Sequence, residues 1–385
     1  MKFIDMARSV AIILMLEGHC TGAALADQYR NKEYLGYAIW GQIHGWTSVL
    51  FFTVSGVIFT YLLSAHNEFA YWKNVRVRKG YKRVLQLLFW GYLIQINLKA
   101  LYYTIFHGSS YDADWLQAFH VLQGIGFGIL MLLVFYGLYK WIGKIELHWY
   151  YLIAAIIFFG FNGWLNHRID VDKQLISEGI LQAKRYWPEG APKFIQNIVY
   201  GQYSEFSILR FTGYTVLGGM LGSIIRKYED KVFNWSFIGI VAGTGVLILA
   251  LIKYFFRGID KLSMYLGWTD AKVQATNTYP LKSFGVILIF ISLLIVIDKY
   301  FKIKESLFLK MGRNTLSIYI VHVIILYEGI FGFGLKPLLL NRNFDPLSSG
   351  LISLSFILIF VLMVRFIEPL TKFYYKVVPL HWLNK

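Results

Sequence analysis

The chain has 385 residues, of which 57% are hydrophobic and 18% aromatic, and its mean hydropathy is +0.50. These values lie outside the range of a soluble globular domain and call for a lipid solvent. A net charge of +16 invites a nucleic-acid reading, but in a membrane protein the placement of Lys and Arg about the bilayer decides what the charge is for.

Crossing ~30 Å of hydrocarbon takes about 20 apolar residues. Ten such stretches are expected, at 6–25, 39–63, 84–106, 116–139, 149–166, 206–225, 234–256, 283–298, 311–331 and 347–370. They predict an all-α polytopic bundle of about ten transmembrane helices forming a single membrane domain over residues 1–385, with no repeat or soluble domain. With the N-terminus inside, 20 of the 38 Lys and Arg fall on inner segments. The outer segments are longer in total, so the positive-inside rule places both termini in the cytoplasm of a cell inner membrane. The excess charge then serves topology and contact with anionic membrane lipid, and no nucleic-acid partner is expected.

In chain order, the first stretch ends on Ala24-Leu25-Ala26, which has the small-x-small form of a signal cleavage site. Asp5, Arg8, Glu17 and His19 interrupt its apolar region, so a retained first helix is expected. Cys20 is the single cysteine, which excludes an internal disulfide framework or a thiolate metal cluster. After the second stretch comes a basic run, Lys73 to Arg83. After the fifth comes an external loop at about 167–205, with a short helix expected around 172–185 and two prolines, Pro188 and Pro192. Five basic and five acidic residues between Arg168 and Glu205 make that loop a poor electrostatic anchor but a suitable lid or docking surface.

Ionisable groups inside a bilayer cost ~2.5–3.5 kcal/mol on insertion scales and are functional candidates by default. Arg8 and His19 are separated by ten residues, and eleven steps of about 100° come to only ~20° past three turns. They share one face, ~16 Å apart along the axis. In the bland reading Arg8 snorkels to headgroups and His19 is a bonded interior histidine. Against it, His44, Lys99, His120, Arg210 and His322 also fall in outer halves, which together suggest a polar cavity. Glu17 lies about 200° from His19 and is a weak candidate for orienting that ring. The basic run is either a lipid anchor or a phosphate site in which Arg76, Arg78 and Arg83 bind oxygens bidentately. The phosphate reading takes precedence because Arg8 is expected at the same depth.

Phe3-Ile4-Asp5-Met6-Ala7-Arg8 through Glu17-Gly18-His19 resembles the first helix of the acyltransferase-3 superfamily, whose hallmark is Arg, ten residues, then His. Gly45-Trp46-Thr47-Ser48 through Ser55-Gly56 resembles the second helix of the bacterial relatives of heparan-α-glucosaminide N-acetyltransferase in the same clan. His120-Val121-Leu122-Gln123-Gly124-Ile125-Gly126 and Gly312-Arg313-Asn314-Thr315 through His322 are similar to it as well. The resemblance implies transfer of an acyl group from cytoplasmic acyl-CoA, acetyl-CoA being the expected form, to a hydroxyl or amine of a cell-envelope glycan or glycolipid. It implies His19 as catalytic base or acyl carrier, Arg8 as donor-positioning, Arg76, Arg78 and Arg83 as holding the CoA phosphates, and His322 as lining the site. The sugar N-acetyltransferase branch carries its own histidine near Trp40 instead of at His19. Trp40 cannot serve as a base, so His19 or His44 must.

Histidine suits the reaction because its unperturbed pKa lies near neutrality. No His-x-x-x-His or Glu-x-x-His pair shares a helix face, so no metal is expected. Two other classes use the same residues: a proton-coupled transporter or exporter, and a catalytically dead glycolipid sensor. The lack of internal symmetry weighs against the first, and the intact Arg8 and His19 against the second.

Overall fold

The computed structural model describes residues 1–108, 114–203, 206–266, 273–301 and 305–377. Among these the regular structure is helical, as the hydropathy pattern predicts. The helices are α1 (Lys2–Ala24), α2 (Leu35–Ser64), α3 (Val75–Leu93), α4 (Leu98–His107), α5 (Val121–Ile142), α6 (Leu147–Ser177), α7 (Lys193–Val199), α8 (Ile208–Lys227), α9 (Trp235–Tyr265), α10 (Val273–Tyr300), α11 (Leu307–Arg313), α12 (Thr315–Leu326) and α13 (Pro346–Val377). By length and composition, α2, α5, α8 and most of α9, α10 and α13 are able to cross a membrane. The protein is thus an all-α polytopic membrane protein, and among the described residues six of the ten expected spans meet that criterion.

Three of the expected segments differ in form. The stretch expected at 84–106 is two helices, because Gln95 and Asn97 interrupt it. Gln95 Nε2 donates to the Ala118 carbonyl at 3.1 Å, and the Asn97 side chain caps α4 by accepting from the Ala100 N–H at 2.9 Å. The stretch expected at 311–331 breaks at Asn314, which ends α11 and begins α12. The short helix expected around 172–185 is absent as such: α6 runs on to Ser177 and stops where Gly179 takes a left-handed φ of 74°.

The chain divides into two compact units, Met1–Ser48 with Phe301–Lys385, and Val49–Tyr300. In the first, α1 packs against α11, α12 and α13. The carbonyls at the end of α1 have no partner within the helix, and a returning segment supplies them. The Arg30 guanidinium donates to Gly22 and Leu25 at 2.6–3.0 Å, and the Arg342 and Phe344 N–H groups donate to Ala23 and Ala24 at 2.9 and 3.0 Å. Asp345 then caps α13, accepting from the Leu347 and Ser348 N–H groups and from the Ser348 hydroxyl. Ser348 holds the Asp345 carboxyl below its ordinary pKa, so the cap is present at neutral pH and lost as pH falls through that lowered value.

In the second unit α9 pairs with α10, α6 with α8, and α5 with both α3 and α8. The later part of α2 crosses α8 so closely that a Cβ at Gly56, Gly218 or Gly222 would collide with a backbone carbonyl of the facing helix, that of Thr215, Thr53 or Val57. Small residues permit this approach where lipid supplies no hydrophobic force between helices. Gly218→Val is expected to cost about 1–3 kcal/mol through forced separation. Thermal unfolding of the detergent-solubilised protein measures it; an unchanged melting temperature would mean that the crossing yields without strain.

Candidate active site

The first unit carries two histidine sites on opposite faces of α1, a pair of histidines and a histidine bound to a carboxylate. His19 lies in the C-terminal half of the helix, half-buried, and its Nδ1 is 3.0 Å from Nε2 of His322 on α12. The rings are 5.2 Å apart between centroids. His322 is fully buried, with Tyr319 edge-on at 4.9 Å, and Tyr327 stands edge-on to His19 at 5.7 Å. His322 Nδ1 is buried without a hydrogen-bond partner among the described residues. In the tautomer that carries the His322 proton on Nδ1, His322 Nε2 accepts from His19 Nδ1–H. His19 Nε2 is then the basic nitrogen, and the proton it takes up is stabilised through the same hydrogen bond.

Arg8 reaches the same helix α12. Its guanidinium donates to Thr315 Oγ1 at 3.2 Å and lies 3.7 Å from the Asp5 carboxylate. The shared face inferred from the Arg8-to-His19 spacing is therefore the face turned to α12. The seam is held by Ser9, whose hydroxyl donates to the Phe308 carbonyl at 2.6 Å and accepts from the Gly312 N–H at 3.1 Å. Gly312 is required there: a Cβ would strike the Asp5 carbonyl and the Ser9 hydroxyl.

His44 does not pair with His19. Its Nε2 is bound to the Glu17 carboxylate, which also accepts from Trp40 Nε1 at 3.1 and 3.3 Å and from the Thr21 hydroxyl at 2.7 Å. Thr21 in turn bonds the buried Ser353 at 2.8 Å. The Nδ1 edge of the His44 ring lies over Gly18, where a Cβ would come within 2.7 Å of Cε1. Both nitrogens of His44 thus look onto α1. Glu17 does face away from His19, as its 200° offset requires, but its role as the hub of this second cluster was missed. The signal was present in the pairs Glu17/Thr21 and Trp40/His44, each spaced i,i+4 and so presented on one face.

In the second unit the basic run from Arg76 to Arg83 lies on the opening turns of α3, ahead of the span expected from residue 84. Residues 77, 80, 84, 87 and 91 form its buried stripe. Arg76 and Arg83, seven residues apart, share the half-buried flank of that stripe, whereas Arg78 projects to the exposed side with Lys79 and Lys82. Arg83 donates to Gln86 at 3.0 Å. Lys99 sits in the first turn of α4, and His120 is the residue preceding α5. Arg210 is on the first turn of α8, its guanidinium 4.8 Å from the Phe211 ring centroid. Among the described residues no three His, Cys, Asp or Glu side chains gather as a metal site.

The fold is that of a polytopic helical membrane protein whose first helix presents an arginine and a histidine on one face to α12. The family described as acyltransferase domain, acyltransferase-3, matches residues 1–367, and the chain belongs to that family. No curated protein matches the chain.

Proposed function

We propose that the protein moves an acyl group, acetyl being the expected one, from cytoplasmic acyl-CoA to a hydroxyl or amine of a cell-envelope glycan or glycolipid. It would do so in the inner membrane with both termini in the cytoplasm and the whole chain acting as one transferase domain. The observation that carries this reading is the 3.0 Å contact between His19 and His322 on the face of α1 that also bears Arg8. His19 is the base: it takes the acceptor proton at Nε2 as the acceptor oxygen or nitrogen attacks the thioester carbonyl, and the CoA thiolate leaves. His322 orients it. His44, with both nitrogens turned to α1, is a clamp between helices. Arg8 positions the donor. Arg76 and Arg83, with Arg78 on the outer flank, hold the CoA phosphates at the start of α3. Basic residues there oppose the helix macrodipole and are relieved by an anionic ligand. Arg210 lines the acceptor side. The likeness of Gly45–Gly56 to the heparan-α-glucosaminide N-acetyltransferase relatives keeps an amine acceptor in view beside a hydroxyl.

The test incubates purified protein with radiolabelled acetyl-CoA and envelope extract. Label is expected in a glycan or glycolipid fraction with wild type and not with His19→Ala. If wild type neither hydrolyses nor transfers the label while a proton gradient drives solute uptake, the transferase reading is lost.

A further inference from the structure

The segment after α6 is built as a platform. Trp187 packs into a small core with Leu165 and Ile169, and its N–H donates to the Tyr200 carbonyl at 3.0 Å. Arg185 grips the buried Asp172 at 2.7 and 3.1 Å, and Lys184 lies 4.7 Å from the centre of the Tyr200 ring. These contacts fasten residues 184–200 to the end of α6. On this platform lies a cleft of about 80 Å³ lined by Tyr186, Lys193, Gln196, Asn197, Gln202 and Tyr203.

The chemistry of that lining is selective. Among the described lining residues no carboxylate is present to hold a cation, and one lysine is too little for a polyanion. Among the same residues there is no Leu, Ile, Val or Met for an apolar tail. Two phenol rings and three carboxamides remain. A carboxamide offers a donor and an acceptor side by side, which suits neighbouring hydroxyls that must each give and take a hydrogen bond. A tyrosine ring offers an apolar face with a polar tip, which suits the C–H face of a pyranose. Two of the amides are already oriented. Gln196 Nε2 donates to the Pro188 carbonyl at 3.1 Å and Asn197 Nδ2 to Gln117 Oε1 at 3.3 Å, and Asn197 is only 5% exposed. Such preorganisation removes part of the ordering cost of binding.

We infer that this cleft is a subsite for a neutral sugar residue of the acceptor glycan, distinct from the histidine pair that does the chemistry. The inference rests on the glycan-acceptor reading above, and under the expected topology the platform faces the side where that acceptor stands. The volume admits an edge of one ring, so affinity for a short oligosaccharide is weak, on the order of millimolar, worth about 4 kcal/mol. The subsite registers a longer glycan rather than capturing a free sugar.

The test is saturation-transfer NMR on the full chain in nanodiscs without any acyl donor, using chitotetraose, maltotetraose and mannotetraose, with tetragalacturonate as the anionic control. Saturation of at least one neutral tetrasaccharide is expected. It should fall at least fivefold in Tyr186→Ala and in the Gln196→Ala/Gln202→Ala double variant, with melting temperatures unchanged, and persist in His19→Ala. No saturation of any neutral probe, equal saturation in both variants, or binding of the anionic probe alone would overturn the inference. Melting temperatures identify a variant that has lost its fold, in which case Tyr203→Ala and Gln202→Ala give the same comparison. Binding without acyl transfer would remove the transferase reading and leave the subsite; transfer without binding would do the reverse.

Discussion

His19→Gln is expected to lower acyl transfer by roughly 10²–10⁴-fold, the usual contribution of a positioned general base, with little change in the melting temperature. Glutamine keeps a donor for His322 Nε2 and most of the volume but supplies no nitrogen able to take up a proton at neutral pH. His322→Gln removes the partner 3.0 Å away and leaves the base in place. The expected loss is smaller, roughly 10²-fold, the cost of a misplaced reacting group. His44→Gln acts on the other face of α1, where glutamine can still donate to Glu17 but gives up the ring packed on Trp40 and over Gly18. Transfer should stay within a few-fold of wild type while thermal stability falls. Single-turnover transfer of labelled acetyl groups separates the three. Should His44→Gln abolish transfer and His19→Gln spare it, the base has been misassigned.

Much of this arrangement was legible in the sequence, because it depends on one helix. The eleven-residue spacing from Arg8 to His19 places both on one face whatever surrounds the helix, and both reach α12. The 200° offset of Glu17 excludes it from that face for the same reason. What escaped is what depends on pairs of helices. His19 and His322 are 303 residues apart in sequence, and no periodicity in either helix says that their rings meet. The Glu17 hub needs α1 and the start of α2 in register, which two separate i,i+4 pairs imply only once the helices are known to touch. Breaks within apolar runs escaped for another reason. Averaging over a window long enough to find a span smooths away Gln95, Asn97 and Asn314, single polar residues whose side chains or backbones start and stop helices. The apolar criterion starts the third span at 84 and leaves the basic run outside it, although Asn74 ahead of that run is a strong N-cap residue.

Asn74 carries the second large effect. It is fully buried, and one side chain closes two helix ends. Its Oδ1 accepts from the Arg76 N–H at 2.8 Å, capping α3. Its Nδ2 faces the Leu63 and His66 carbonyls at 3.3 and 3.1 Å, where α2 ends, and the Tyr136 hydroxyl at 3.2 Å. Tyr136 passes its proton on to Asn67 Oδ1 at 3.2 Å, and Asn67 donates to the Tyr139 hydroxyl at 3.0 Å. Asn74→Ala removes the cap, worth about 1 kcal/mol, and leaves buried acceptors short of a donor at about 1–3 kcal/mol. A loss of about 2–4 kcal/mol is expected. Asn74→Asp isolates the two parts, since a carboxylate still caps Arg76 N–H but has no donor for α2 or Tyr136. It should recover the cap alone and remain well below wild type. Because Arg76 and Arg83 ride on the turns that this cap starts, Asn74→Ala should also raise KM for acyl-CoA more than it lowers kcat. A stability loss without that KM shift would separate the start of α3 from donor binding and send the search for the phosphate site elsewhere.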